Sequence, residues 1–173
     1  MNTEALKLAI QHPNAKKEQI RKIVDSSPTE WEQIKLKHMA MSSHHVSSEE
    51  AYSHFQNNKH SYADGFMAAK HAIKNPNLSG VRIDDLVNEW KNNHDSVISQ
   101  YHIEDLSIHP NIKTETVDKL YLMGNRRLSP HIIDNTPHKI STNALNKRIS
   151  ELPSESEESM MIRKELGKRN GTN

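Results

Sequence analysis

Imidazole is the side chain abundant enough here to suggest chemistry: the sequence holds twelve histidines and no cysteine. His44, His45, His54 and His60 fall within one short stretch, with His38 and Glu49 nearby. Zinc would need three or four converging ligands, commonly including an i, i+4 histidine pair on one helical face. Neither His-x3-His nor His-Glu-x-x-His occurs, so no metal site is expected and these rings are assigned to solvent and to turns. Without cysteine there is no thiolate nucleophile, no disulfide and no sulfur-ligated zinc.

The other routes to catalysis are equally bare. Serines are frequent, yet most occupy helix starts, where capping accounts for them. No Gly-x-Ser-x-Gly is present, and Leu78-Ser79-Gly80 and Met123-Gly124-Asn125 are isolated instead of forming a phosphate-cradling loop. Asp84-Asp85 and Glu157-Glu158 are adjacent pairs in helical segments, so the two carboxylates of each point to different faces. The reading is of a protein that is not an enzyme, with no catalytic residue and no cofactor.

What remains is recognition. Trp31 and Trp90 sit at amphipathic positions, where core packing is the first expectation and an exposed anchor for a partner the second. Residues 113–149 carry Lys113, Lys119, Arg126, Arg127, Lys139, Lys147 and Arg148 against Glu115, Asp118 and Asp134, a local balance of +4. Arg126-Arg127, in an expected loop, is where nucleic-acid phosphates would be met. Over the whole chain the net charge is only +1, so no global field draws nucleic acid or a membrane. Protonation of every histidine would take that charge to +13, and the surface is expected to change below about pH 6.5.

These groups must be positioned by helices. Only 34% of the 173 residues are hydrophobic and 5% aromatic, yet the apolar residues recur at helical spacing, as in Ile20/Ile23/Val24 and Ile83/Leu86/Val87. No alternating β-branched stretch appears. The strongest pattern is an internal repeat. His12-Pro13-Asn14-Ala15, Asn75-Pro76-Asn77-Leu78 and His109-Pro110-Asn111-Ile112 carry the full signature, Ser43-His44-His45-Val46 is a weaker copy, and Thr136-Pro137-His138 fits with one residue inserted before Ile140. The copies start at 12, 43, 75, 109 and 136, in steps of 31, 32, 34 and 27.

Each position of the unit has a physical reason. Proline stops the incoming helix at the residue before it, asparagine tolerates turn conformations, and the next apolar residue anchors the turn in the core. A polar residue then opens a new helix, and Ser47/Glu50, Ser27/Glu30 and Ser61/Asp64 fit capping boxes. The expected helices lie near 3–11, 17–25, 28–42, 48–57, 62–74, 79–93, 95–107, 113–122, 129–134, 141–151 and 156–168. The fold class is therefore all-α: about five degenerate helix–turn–helix repeats of ~27–34 residues, forming a short α-solenoid-like or compact helical array. Residues 1–152 form the repeat domain, and 153–173 a C-terminal capping helix with a polar tail. Met1-Asn2-Thr3-Glu4 leads straight into an amphipathic helix, and no apolar run approaches the ~18 residues of a membrane span. A cytoplasmic protein without membrane contact is expected.

The units Ala9-Ile10-Gln11-His12-Pro13-Asn14, Ala72-Ile73-Lys74-Asn75-Pro76-Asn77 and Leu106-Ser107-Ile108-His109-Pro110-Asn111 resemble the His-Pro-Asn helical repeats in accessory proteins of large T4-like tailed phages. More coarsely they are similar to the variant leucine-rich repeat and other α-solenoids. The resemblance covers about residues 3–150. It implies a helical repeat fold and a phage origin, and carries no active residues. The expected function is a protein–protein interaction module, with a bacterial host protein as the implied partner. The alternative is RNA or DNA binding through residues 113–149.

Overall fold

The protein is described by a computed structural model covering residues 2–171 apart from 13, 94 and 124, so Pro13 of the first motif and Gly124 lie outside the described residues. It is all-α. The helices are α1 (Asn2–Gln11), α2 (Lys17–Asp25), α3 (Glu30–Ala40), α4 (Ser48–Asn58), α5 (Tyr62–Ile73), α6 (Gly80–Asn92), α7 (Gln100–Ser107), α8 (Thr114–Leu122), α9 (Leu128–Asn135), α10 (Thr142–Glu151) and α11 (Glu157–Arg169). A 3-10 turn spans Pro137–Lys139. Among the described residues there is no strand, and no helix is long and apolar enough to cross a membrane.

Most helix starts follow from serine. Ser47, Ser61, Ser79, Ser141 and Ser156 each accept the amide N–H three residues on, satisfying a donor that has no partner inside the helix. Glu50 answers by accepting the Ser47 N–H, completing a capping box. The box expected at Ser27/Glu30 is corrected: Thr29 caps α3 by accepting from the Glu32 N–H at 3.2 Å, which leaves Pro28 outside the helix. The helix expected from residue 95 starts only at Gln100. Asn93 Oδ1 accepts the Asp95 N–H and Ser96 Oγ the Ile98 N–H, side-chain bonds that favour a turn over helix.

Two compact units are present, residues 1–105 with 109–111, and 106–108 with 112–173. The boundary expected at 152/153 falls inside the second. In the first unit α3 lies against α1 and α5, α4 packs on α5 and α6, and α2 joins α1 and α3. Leu6, Ile20, Val24, Leu36 and Ala40 form one core cluster, and Ala51, Phe55, Ala68, Ala69, Ala72 and Ile83 are buried in the layers that follow. Gly65 lets α5 approach closely: a methyl there would lie 3.0 Å from Lys59 Cα and 3.0 Å from Val97 Cγ2. In the second unit α8 neighbours α10, and α11 packs on α9 and α10.

The repeated turn is a hydrogen-bonded joint, and its chemistry explains the motif. The first position accepts the backbone N–H two residues later: His12 Nδ1 from Asn14, Ser43 Oγ from His45, Asn75 Oδ1 from Asn77, and His109 Nδ1 from Asn111. Three residue types do one job, which is why this position varies. The asparagine of the motif works between repeats. Asn77 Nδ2 donates to the carbonyls of His44 and Val46 at 2.7 and 3.0 Å, and Asn111 Nδ2 to those of Pro76 and Leu78 at 2.9 and 3.0 Å. These are the same two positions of the preceding turn in each case. The first position also reaches back: His109 Nε2 donates to Asn75 O at 3.0 Å. Accepting at Nδ1 while donating at Nε2 fixes His109 as the neutral Nε2–H tautomer. Val46, Leu78 and Ile112 bury the apolar anchor of each turn.

Candidate partner-binding surface

Trp31 stands in the first turn of α3, 69% exposed, with Lys35 Nζ 5.5 Å from its ring centroid. The expectation that it packs in the core is corrected. Trp31 and Ile34 stand in the first half of α3 and face out, whereas Leu36, His38 and Ala40 in its second half are buried, His38 on the same side of the helix as Trp31 and Ile34. An exposed tryptophan offers a partner a large apolar area with few rotatable bonds, and its lysine neighbour adds a cation–π contact. Trp90 continues the stripe of Ile83, Leu86 and Val87 on α6 and is half-buried, nearer to its expected role.

The basic residues divide. Arg126 and Arg127 are exposed before α9, in a turn organised by Asn125 Oδ1, which accepts the N–H groups of Arg127 and Leu128. Lys147 is exposed on α10. Arg148 is different: its side chain is 12% exposed, and Nε and Nη2 bond both carboxylate oxygens of Glu158 at 2.9 and 3.0 Å. The fork joins α10 to α11 and occupies the guanidinium. Glu158 is 11% exposed, so Arg148→Ala leaves a largely buried carboxylate unpaired and is expected to destabilise the second unit by about 2 kcal/mol. Lys147→Ala should leave stability within about 0.5 kcal/mol of the parent. Urea unfolding of the two variants checks the contrast.

The histidines are the other departure from expectation. His12 and His109 are turn residues, as expected. In the first unit, however, His38 and His102 are buried, and His54 and His71 are half-buried instead of solvated. His38 Nδ1 lies 2.9 Å from His54 Nε2, one ring donating and the other accepting, with the rings edge to face. Asp64 approaches His38 Nε2 at 3.8 Å from α5. His102 Nδ1 accepts the Ser99 N–H at 3.0 Å at the start of α7, and its ring lies tilted against that of Phe66, centroids 4.5 Å apart. Burial pushes His54, His71 and His102 down to about 4 and lowers His38 too, with Asp64 opposing the fall at His38. Lys37 beside His54, and Lys70 and Lys74 beside His71 and His102, add to the shift. The uniform gain of charge expected below pH 6.5 therefore does not extend to these four.

Sequence reasoning missed the His38–His54 pair because it joins α3 to α4 with no helical spacing to mark it. Among the described residues no three His, Asp or Glu side chains converge as a metal would require. What the surface offers is an apolar anchor on α3 and exposed arginines before α9. No known protein family, no curated protein and no solved structure matches this chain.

Proposed function

We propose that the protein is a non-enzymatic interaction module of the cytoplasm that binds a protein partner, with Trp31 as its anchor. The observation that carries this reading is the exposure of Trp31 and Ile34 on one face of α3, a contiguous apolar patch that folding leaves unused. The resemblance to phage helical repeats makes a bacterial host protein the partner to look for, its activity inhibited or redirected during infection. Tagged protein and its Trp31→Ala variant, each incubated with nuclease-treated bacterial lysate, test this. A stoichiometric protein retained by the parent and reduced tenfold or more by Trp31→Ala, with unchanged helicity, is the expected result. Equal retention by both removes Trp31 from the role.

Nucleic-acid binding is the second reading, favoured by exposed Arg126 and Arg127 in one turn. It requires binding that weakens steeply with salt and is lost in Arg126→Ala plus Arg127→Ala. Arg148, held by Glu158, is not assigned to it.

A further inference from the structure

An asparagine–glycine step occurs once in the sequence, at Asn170-Gly171, and the fold places it at the end of α11. Asn170 follows the helix as its C-cap, donating its N–H to Leu166 O at 3.0 Å. Gly171 comes next with φ +70°, the left-handed conformation that ends many helices and favours glycine. Both residues are exposed, and a Cβ at 171 would meet no atom within 4 Å. The residue that ends the helix is thus one with no side chain to shield its own nitrogen.

That combination permits a reaction of the chain with itself. The amide carbon of an asparagine side chain lies within a five-membered ring's reach of the next residue's backbone nitrogen. The Gly171 nitrogen loses its proton and bonds to Asn170 Cγ, the C–N bond of the side-chain amide breaks, and ammonia leaves with the proton. Water then opens the cyclic imide at either carbonyl, giving aspartate or isoaspartate. Each product carries one new carboxylate, so the net charge falls from +1 to 0.

The folded end of α11 withholds the reaction. Asn170 has ψ 2°, which eclipses the Gly171 nitrogen with the Asn170 nitrogen. The Asn170 Cβ therefore stands about 120° away around the Cα–C bond, whereas ring closure needs Cβ and the Gly171 nitrogen eclipsed. Turning into that geometry breaks the bond from the Gly171 N–H to Lys168 O, 3.3 Å long. Arg169 holds the same turn in place. Its Nη2 donates to Pro137 O at 2.6 Å, and its Nη1 to Ile140 O at 2.9 Å and Thr142 Oγ1 at 3.3 Å. Glu165 Oε1 accepts from Nε at 3.0 Å. We propose that Asn170 is a site of self-modification, converted to aspartate and isoaspartate when the last turn of α11 opens, and that Arg169 sets the rate by holding that turn closed. Arg169 is a positioning residue, since its side chain takes no part in the bonds made or broken. The product resists a return to the helix: its carboxylate meets the negative end of the helix dipole, and isoaspartate adds a carbon to the backbone.

Incubation of the parent, Arg169→Ala, Glu165→Gln and Asn170→Gln in mildly alkaline buffer, each folded and in concentrated urea, tests this. Peptide mapping follows the gain of acid at 170 and the share of isoaspartate, which only opening of the ring produces. The folded parent is expected to convert about tenfold more slowly than the parent in urea, because the turn must first open. Arg169→Ala should convert about threefold faster than the parent when folded, and no faster in urea, where the turn is already open. Glu165→Gln keeps the guanidinium but neutralises its partner, and should show a smaller rise. It serves where loss of Arg169 unsettles α11. Asn170→Gln should form no isoaspartate at 170. Equal conversion of the parent folded and in urea would overturn the proposal. So would parental rates in both Arg169→Ala and Glu165→Gln with parental helicity, or acid at 170 without isoaspartate.

Discussion

Asn75→Ala is expected to destabilise the first unit by about 3–4 kcal/mol, the largest loss from any single polar side chain in the joints. Asn75 is 0% exposed. Its Nδ2 donates to Met41 O at 2.7 Å and Val46 O at 3.1 Å, with Ser43 O at 3.3 Å sharing the same two hydrogens. Its Oδ1 accepts the Asn77 N–H at 2.8 Å. Truncation takes the partner from Met41 O and from the Asn77 N–H, while Ser43 O keeps the Val46 N–H and Val46 O keeps Asn77 Nδ2, and each group that loses its partner costs about 1–3 kcal/mol. Asn75→Asp should be as damaging or more so, because it keeps the shape but turns a carboxylate oxygen toward carbonyl oxygens. Asn77→Ala and Asn111→Ala, with one donor nitrogen each, should cost about 1–2 kcal/mol. Asn14→Ala, exposed and without an acceptor, should cost close to nothing in the monomer. Chemical denaturation of the four alanine variants orders them; an Asn75→Ala loss no greater than that of Asn14→Ala would mean that the joints carry no stability.

Acidification is expected to unfold the first unit well above the pH at which carboxylates titrate. His54, His71 and His102 stay neutral in the folded chain down to about 4, while in the unfolded chain they protonate near 6.5. Above pH 6.5 both states hold neutral imidazole and the stability is intact. As the pH falls through the window from 6.5 to about 4, the unfolded chain takes up protons that the folded chain refuses, so stability is lost. With the solvent-facing part of each ring discounted, the sum is roughly 5 kcal/mol by the bottom of the window. That is a large share of a typical domain's ~5–15 kcal/mol. His102 adds a local cost, since a protonated Nδ1 no longer accepts the Ser99 N–H. Asp64 works the other way at His38, favouring its charged form. Thermal unfolding followed from pH 7 to 4.5 should show Tm falling by about 20 °C. Glutamine at 54, 71 and 102 together should flatten that slope, even where it lowers Tm at pH 7. A Tm that is level to pH 5 in the parent would mean that the imidazoles are reached by solvent.

The sequence announces its helices because short capped segments advertise themselves. Ser47, Ser61, Ser79 and Ser141 each precede an apolar stripe, and their helices begin within a residue or two of expectation. The same reasoning failed at Ser27, where Thr29 two residues on competes for the same role and wins. The repeat was legible as a pattern, but what the pattern does was not. Proline and asparagine read locally as a turn, whereas the asparagine amide is satisfied about 33 residues away. That is a tertiary fact with no local trace. Trp31 was misplaced for a related reason. The apolar side chains of α3 at 31, 34, 36 and 40 lie on two sides of the helix, and burial does not follow the side alone: His38, on the side of Trp31, is buried. The histidines defeated composition outright, because charge counting treats every imidazole as solvated.

In the two joints that link the turns at 43, 75 and 109, the donors lie in the later repeat and the acceptors in the earlier one. Damage to a joint is therefore one-sided. A lost donor at 111 leaves carbonyls of the turn at 76–78 unpaired, while the turn at 109–112 keeps its own bond from the residue-111 N–H to His109 Nδ1. Slow amide exchange in Asn111→Ala should fail first in the helix leading into residue 75, upstream of the substitution. The array thus has a grain, and its weaknesses travel toward the N-terminus.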